Sequence, residues 1–231
     1  MENLCNMLFD MFRKEWDTTF SSHGIECADW TEFYNHWIDL IKSIIKIVPE
    51  GMQGQSLMCI RFLELNRDIL WSLFATMVGA YENAVRELRF WFEVILQAYL
   101  VDHRGGITRL SGNVEKITGS RLIKECNFKN QYNLRLKQLY GELCKFVHPT
   151  RQELNLDSSD PRVTFQYDEE SFERNRELHT KTYDAILFIV MASFPEAAKD
   201  YYRKHLTLES LHALGYELSL KYLNELGNDL S

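Results

Sequence analysis

The segment from Tyr81 to Asp102 most strongly limits the folds open to this chain of 231 residues. Its apolar residues cover most of the circumference of a helix, which is typical of a helix surrounded by other helices. Helical spacing of apolar residues also dominates elsewhere, and only residues 162–167 alternate apolar and polar side chains. The sequence therefore predicts an all-α multi-helix bundle, in which a central buried helix at 82–102 is antiparallel to the helix ending at His148.

Breaks in the apolar pattern divide the rest of the chain into further helices. They are predicted at residues 2–20, 29–49, 57–77, 113–124, 131–147, 168–194, 196–205 and 208–226. A long exposed loop is predicted at 151–167, after Pro149, because proline disfavours helical geometry in the residue before it. We expect an N-terminal helical pair at 1–50 packed on the core, a main bundle at 51–195 and short C-terminal helices at 196–231.

Composition indicates a cytoplasmic protein that binds no membrane, metal or cofactor. The longest uncharged apolar run, Ile69 to Tyr81, has 13 residues, whereas a membrane-spanning helix needs about 20. The N-terminus lacks the basic start and the continuous apolar stretch of a secretory signal. The five cysteines are odd in number and widely spaced, which indicates neither a disulfide framework nor a zinc-binding pair. The histidines show no metal-ligand spacing with each other or with carboxylates.

Charge is unevenly distributed along the chain. Nine bases and three acids lie between His103 and Lys145, a local charge of +6 in a chain whose formal charge is −7. A basic segment on an acidic body is typical of a surface that meets phosphates. The candidate nucleic-acid-binding residues are Arg104, Arg109, Lys124, Lys129, Lys137 and Lys145. The alternative is that these bases lie on ordinary solvated helix faces.

The central helix carries one polar stripe along its otherwise apolar surface. Steps of three and four residues place the stripe's members on one face: Glu82, Arg86, Arg89, Glu93 and Gln97. A buried charge without a partner costs several kcal/mol, so the stripe must be paired internally or line a cleft. Arg89 and Glu93 are therefore either a structural ion pair or part of a site.

The helix predicted at 131–147 ends in a second candidate group. His148 follows its last turn, where the helix dipole favours the protonated imidazole, and a histidine there can transfer protons near neutral pH or simply cap the helix. Tyr140 and Cys144 precede it on the same helix. A Cys144/His148 nucleophile is a weak hypothesis because no third group or oxyanion donor is evident.

Two short motifs together resemble HEPN-like helical domains. The first is Ala84-x-Arg86-Glu87-Leu88-Arg89-x-x-x-Glu93, and the second is Leu139-Tyr140-x-x-Leu143-x-x-x-Val147-His148-Pro149. A loop and a long helix containing Asp184-Ala185-Ile186-Leu187 follow, so the resemblance covers about Gly79 to Phe194. It implies a helical bundle, pairing of two copies across their His-bearing ends, and binding of RNA or a nucleotide.

The ribonuclease signature of that family is incomplete in this chain. Family ribonucleases carry an arginine one to two helical turns before the active-site histidine. His148 matches the histidine, but the positions where the arginine is expected hold Glu142, Leu143 and Cys144, and the nearest arginine is Arg135. Cleavage of RNA would require Arg86 or Arg89 to supply the missing cation in space.

Three hypotheses about function follow from these residues. The first is a HEPN-like protein that interacts with RNA or a nucleotide, without necessarily cleaving it. The second is an all-α interaction module that binds a second copy or a cognate protein and has no nucleic-acid role. The third is an enzyme in which His148, Arg89 and Glu93 are the catalytic residues, acting as acid/base and anion-stabilising groups.

Overall fold

The computed structural model describes residues 10–23, 56–104, 117, 119–147, 167–199 and 215–228. These residues are helical apart from short connections, and no strand occurs among them. In chain order the helices are α1 (10–23), α2 (Leu57–Met77), α3 (Tyr81–His103), α4 (Gly119–Cys126), α5 (Asn130–Val147), α6 (Glu169–Ser193) and α7 (Glu217–Asn228). Residues 195–199, the described part of the helix predicted at 196–205, are also helical. The predicted all-α multi-helix bundle is confirmed.

Helix α3 is the centre of the bundle. It packs against α2, α4, α5 and α6, and side chains such as Trp91 are completely buried. Near its C-terminal end, the ring of Tyr99 lies 4.4 Å from that of Phe128, just before α5 begins. Nearer the N-terminal end of α3, Arg89 contacts Tyr140, which lies in the second half of α5. The two helices are therefore antiparallel, as predicted.

A carboxylate at the end of α3 caps the start of α2. Asp102 accepts hydrogen bonds from the Ser56 hydroxyl at 2.8 Å and from the backbone N–H groups of Leu57 and Met58 at 2.8 and 3.1 Å. These N–H groups have no partner within their own helix, so the cap stabilises α2 and fixes it antiparallel to α3. The chain turns between the two helices at Gly79, whose φ is 74°.

A second carboxylate caps α7 in the same way. Asp184, buried in the middle of α6, accepts from the backbone N–H groups of Leu218 at 2.7 Å and Ser219 at 2.9 Å. Leu218 and Leu223 belong to the same hydrophobic core as α3. Helix α7 therefore packs on the same core as α3.

Three helices differ from the prediction at their ends. Helix α1 continues to His23 instead of ending at Phe20, because the hydroxyl of Ser21 bonds to the carbonyl oxygen of Asp17 inside the helix and does not interrupt it. Helix α4 begins at Gly119, where φ is 65°, and reaches Cys126 instead of Lys124. Helix α7 begins at Glu217, because Gly215 adopts a φ of 73°, which a helix interior does not accommodate.

Several predictions concern residues outside the described part of the chain. They include the helix at 29–49, Arg109, His148 and most of the loop at 151–167. Within the described ranges, no helix is long and apolar enough to span a membrane.

Candidate functional site

The polar stripe of α3 runs from the surface into a half-buried position. Glu82 and Arg86 form a loose pair of 3.9 Å with side chains 71% and 51% exposed. Arg89 Nε and Glu93 Oε1 lie 3.4 Å apart, and each of these side chains is only 20% exposed. The predicted pairing of Arg89 with Glu93 is confirmed, and the pair lies at the edge of the core.

Tyr140 of α5 joins this ion pair. Arg89 Nη2 donates a hydrogen bond to the Tyr140 hydroxyl at 3.1 Å, and the guanidinium carbon lies 5.4 Å from the ring centre, a cation–π distance. The pKa of Tyr140 is raised, first by burial and then by hydrogen bonding to Cys144 and Glu93. The hydroxyl therefore keeps its proton while it accepts from Arg89. We call Arg89, Glu93, Tyr140 and Cys144 the polar cluster.

The first residue of α4 closes the polar cluster from a third side. A Cβ atom added to Gly119 would lie 2.9 Å from the Tyr140 hydroxyl oxygen, closer than side chains approach one another. Gly119 also has a φ of 65°, in the region that favours glycine. The glycine thus lets α4 pack directly against the tyrosine, a role that the sequence analysis did not assign to it.

Two of the predicted nucleic-acid-binding residues are bound to acids. Arg104 forms an ion pair with Glu125. Lys129 Nζ lies 2.7 Å from a carboxylate oxygen of Glu225 in α7. The predicted basic segment is therefore partly neutralised, and its local charge overstates the positive surface.

Three other predicted bases are exposed: Lys124, Lys137 and Lys145. No ion-pair partner occurs for them among the described residues. Lys137 and Lys145 stand on the exposed face of α5, on either side of Gly141. A Cβ atom added to Gly141 would meet nothing within 4 Å. This face of α5 carries positive charge beside the polar cluster.

The antiparallel arrangement places Arg86 nearer than Arg89 to the C-terminal end of α5, at Val147. Arg89 lies level with Tyr140, and Arg86 precedes it by almost one helical turn. A step back along α3 is a step forward along α5, whose last residue is Val147. Of the two arginines considered as the missing cation, Arg86 is thus the more exposed and the nearer to that end.

A buried Ser72–His179 contact escaped the sequence analysis. His179 Nδ1 lies 2.9 Å from the carbonyl oxygen of Asn175, which can only accept, so Nδ1 carries the proton and Nε2 accepts from the Ser72 hydroxyl at 3.0 Å. Burial lowers the pKa of His179 to about 4, which keeps the ring neutral. Neither side chain is exposed, so the contact joins α2 to α6 and is closed to substrates.

Comparison of the chain with protein-family models, with curated proteins and with solved structures gives no match. The HEPN-like resemblance thus depends on the two sequence motifs. Of their polar positions, Arg89, Glu93 and Tyr140 lie where α3 and α5 meet, whereas Arg86 pairs with Glu82 on the surface of α3.

Proposed function

We propose that this chain is a HEPN-like helical protein that binds RNA or another polyphosphate along the exposed face of α5. The supporting observation is that Lys137 and Lys145 flank the polar cluster on that face without an acidic partner in the described part of the chain. Lysines in this position neutralise phosphates and release counterions, which is the main source of affinity in sequence-independent binding.

The shape of α5 supports contact with a strand. Lys137 and Lys145 are separated by about 12 Å along the helix axis, at 1.5 Å per residue. Gly141 lies between them and presents bare backbone to solvent. Glycine within a helix costs roughly 0.5–1 kcal/mol relative to alanine, and it permits close approach of another backbone. A ligand lying along α5 would contact the exposed backbone at Gly141.

Arg86 supplies a third cation for the same ligand. Its side chain is half exposed, and its pair with Glu82 is long enough to leave the guanidinium open to a phosphate. Arg89, by contrast, is held by Glu93 and Tyr140 and orients the α3–α5 contact. We therefore assign binding to Arg86 and the lysines, with Arg89 in a positioning role.

Paired charge reversals test this proposal. The Lys137→Glu, Lys145→Glu double variant changes the charge by the same amount as Lys14→Glu, Lys221→Glu, which alters exposed lysines on α1 and α7. Fluorescence anisotropy with single-stranded RNA at low ionic strength should show loss of binding for the first variant and retention for the second. Equal binding by both variants, or no salt-dependent binding by the wild type, contradicts the proposal. Cleavage of the bound RNA is assayed in parallel with His148→Ala.

The second candidate function, an interaction module, is supported by an aromatic patch on α1 and α2. The patch consists of Trp16, Phe20, Leu70, Trp71 and Phe74. Phe20, Leu70 and Trp71 are at least 50% exposed, and the rings of Trp16 and Trp71 lie 6.0 and 5.5 Å from that of Phe74. Contiguous exposed apolar surface of this kind marks interaction sites.

A second copy of this chain is the partner that the surroundings of the patch favour. Asp10, Arg13, Lys14 and Asp17 are exposed on α1, the helix that carries Trp16 and Phe20, so both signs of charge lie side by side on that helix. A two-fold pairing brings the patch onto the same patch of a second copy, and the mixed signs let opposite charges face each other across the axis. Sedimentation equilibrium should show that the wild type is a dimer and that Trp71→Ser is a monomer. The control Leu134→Ser, which changes an exposed leucine on α5, should remain a dimer. A monomeric wild type contradicts this candidate.

A further inference from the structure

Three side chains of metal-ligating type meet where the described part of α1 adjoins the start of α6. His23 is the last described residue of α1, and Glu169 and Glu173 lie one turn apart at the start of α6. One ligand atom from each of the three lies within 4.8 Å of the other two. No other such group occurs among the described residues. The sequence predicted no metal site, because local spacing does not relate His23 to carboxylates so distant in the chain.

The imidazole of His23 is held in a fixed position. The residue is 5% exposed, and its ring stacks on Phe172 with centres 3.9 Å apart and planes inclined by 18°. Its Nε2 atom lies 2.9 Å from the hydroxyl of Tyr167, which also donates to Glu169. The stacking on Phe172 fixes the plane of the ring, so His23 loses little freedom when a metal binds, and an ion at Nε2 would replace the contact of that atom with Tyr167.

The two carboxylates approach the ring from the solvent side. Glu169 Oε2 lies 3.3 Å from His23 Nε2, close to the ~3.3 Å that separates two ligands at a tetrahedral angle on zinc with bonds of about 2.0–2.1 Å. Glu173 Oε1 lies 3.8 Å from Nδ1. These distances are to different ring nitrogens, and one ion binds only one of them. Because both glutamate side chains are exposed, rotation of Glu173 toward the nitrogen that Glu169 faces completes a three-ligand set.

Negative charge accumulates around this group. Glu15 accepts from the backbone N–H of Tyr167 at 2.8 Å and is only 8% exposed. Asp168 and Glu170 adjoin the two glutamates, while Arg176 pairs with Glu173. The N-terminal dipole of α6 by itself accommodates some acidic residues. A buried, oriented imidazole among them is what distinguishes this group from an ordinary acidic helix start.

We propose that His23, Glu169 and Glu173 bind one divalent transition-metal ion of the zinc class, which clamps the end of α1 to the start of α6. One imidazole nitrogen and two carboxylate oxygens suit zinc and its neighbours better than calcium or magnesium, which prefer all-oxygen sites. Three protein ligands leave a fourth position for water, and the exposed side of Glu169 gives solvent access to it. Tyr167 remains as a hydrogen-bond donor to Glu169.

Zinc titration of the full chain tests the site. After treatment with EDTA and dialysis, calorimetric titration with Zn²⁺ alone should give one ion per chain, and thermal unfolding should shift upward with Zn²⁺ concentration. Glu169→Gln and Glu173→Gln should each weaken zinc binding roughly tenfold or more. The matched control Glu170→Gln, an exposed acid in the same turn of α6, should bind as the wild type does.

Cobalt supplies a readout that does not depend on stability. Co²⁺ bound to the wild type should give the visible absorption of a tetrahedral site, and this should disappear in Glu169→Gln and remain in Glu170→Gln. His23→Gln should abolish binding, and if that variant fails to fold, the glutamate variants decide. The proposal is overturned if wild-type protein takes up no zinc, or if Glu169→Gln binds zinc as tightly as wild type. His23 is then a metal-free contact to the two carboxylates.

Discussion

Arg89 Nη2 donates a hydrogen bond to the hydroxyl of Tyr140 over 3.1 Å, so the polar stripe of α3 is anchored to the helix that carries the exposed lysines. The same guanidinium pairs with Glu93. The charge on Glu93, 20% exposed, therefore depends on one arginine for compensation. This contact joins the most buried helix of the bundle to its proposed binding face.

Removing Arg89 should destabilise the fold. Arg89→Met leaves a half-buried carboxylate unpaired and takes a donor from Tyr140, and we expect a loss of about 1–3 kcal/mol in the free energy of unfolding; the residual exposure lowers the effect below that of a fully buried pair. The double variant Arg89→Met, Glu93→Leu should lose less, because no charge is left behind. Urea unfolding of both variants measures the difference. If Arg89→Met alone is as stable as the wild type, the carboxylate of Glu93 is hydrated and does not need the arginine.

Two glycine-to-alanine changes should shift the free energy of unfolding in opposite directions. Gly119→Ala places a Cβ at a φ of 65° and 2.9 Å from the Tyr140 hydroxyl, so it should destabilise by about 1–3 kcal/mol. Gly141→Ala lies inside α5 with open space around the new methyl group and should stabilise by roughly 0.5–1 kcal/mol. Thermal or urea unfolding checks both. Adding Tyr140→Phe to Gly119→Ala removes the hydroxyl that the new Cβ would meet, so it should recover the stability lost to that clash. The stability lost to the unfavourable φ should not be recovered.

The two buried titratable groups of α6 should make opposite contributions to the pH dependence of stability. The pKa of His179 falls from 6.5 to about 4 by burial, so between these values the unfolded chain binds more protons and stability rises with pH. Burial raises the pKa of Asp184 from 3.8 to about 6, against the lowering effect of its bonds to Leu218 and Ser219. There the folded chain binds more protons, and stability falls as pH rises.

Single substitutions should separate these contributions. Asp184→Asn leaves only the His179 contribution. Between pH 4 and pH 6.5 the free energy of unfolding of this variant should rise by about 3 kcal/mol more than that of the wild type does. In His179→Gln, the Asp184 contribution is left, and stability should decrease over pH 4 to 6. Urea unfolding at several pH values measures both slopes. Parallel profiles for the two variants would show that these residues do not control the pH response.

Local sequence pattern was sufficient to predict α3, α5 and α6 and the pairing of Arg89 with Glu93. Periodic apolar residues and glycine or proline stops define those helices, and residues four apart on one helix face each other. The pattern did not predict that Glu225 neutralises Lys129 or that Ser72 meets His179, because packing between distant helices creates these contacts. The polar cluster was predicted in part. The placement of Arg89 and Glu93 on one face of α3 followed from their spacing, whereas their contact with Tyr140 depends on how α5 packs against α3.

The salt dependence of RNA affinity tests the central proposal most directly. For single-stranded nucleic acid, each phosphate contact adds about 0.7 to the magnitude of the slope of log K against log salt concentration. Neutralising Lys137→Gln, Lys145→Gln should therefore reduce that slope by roughly 1.4 relative to wild type, whereas Lys14→Gln, Lys221→Gln should leave it unchanged. Anisotropy titrations with one single-stranded RNA at several salt concentrations give all three slopes. Equal slopes for the three proteins would contradict binding along α5.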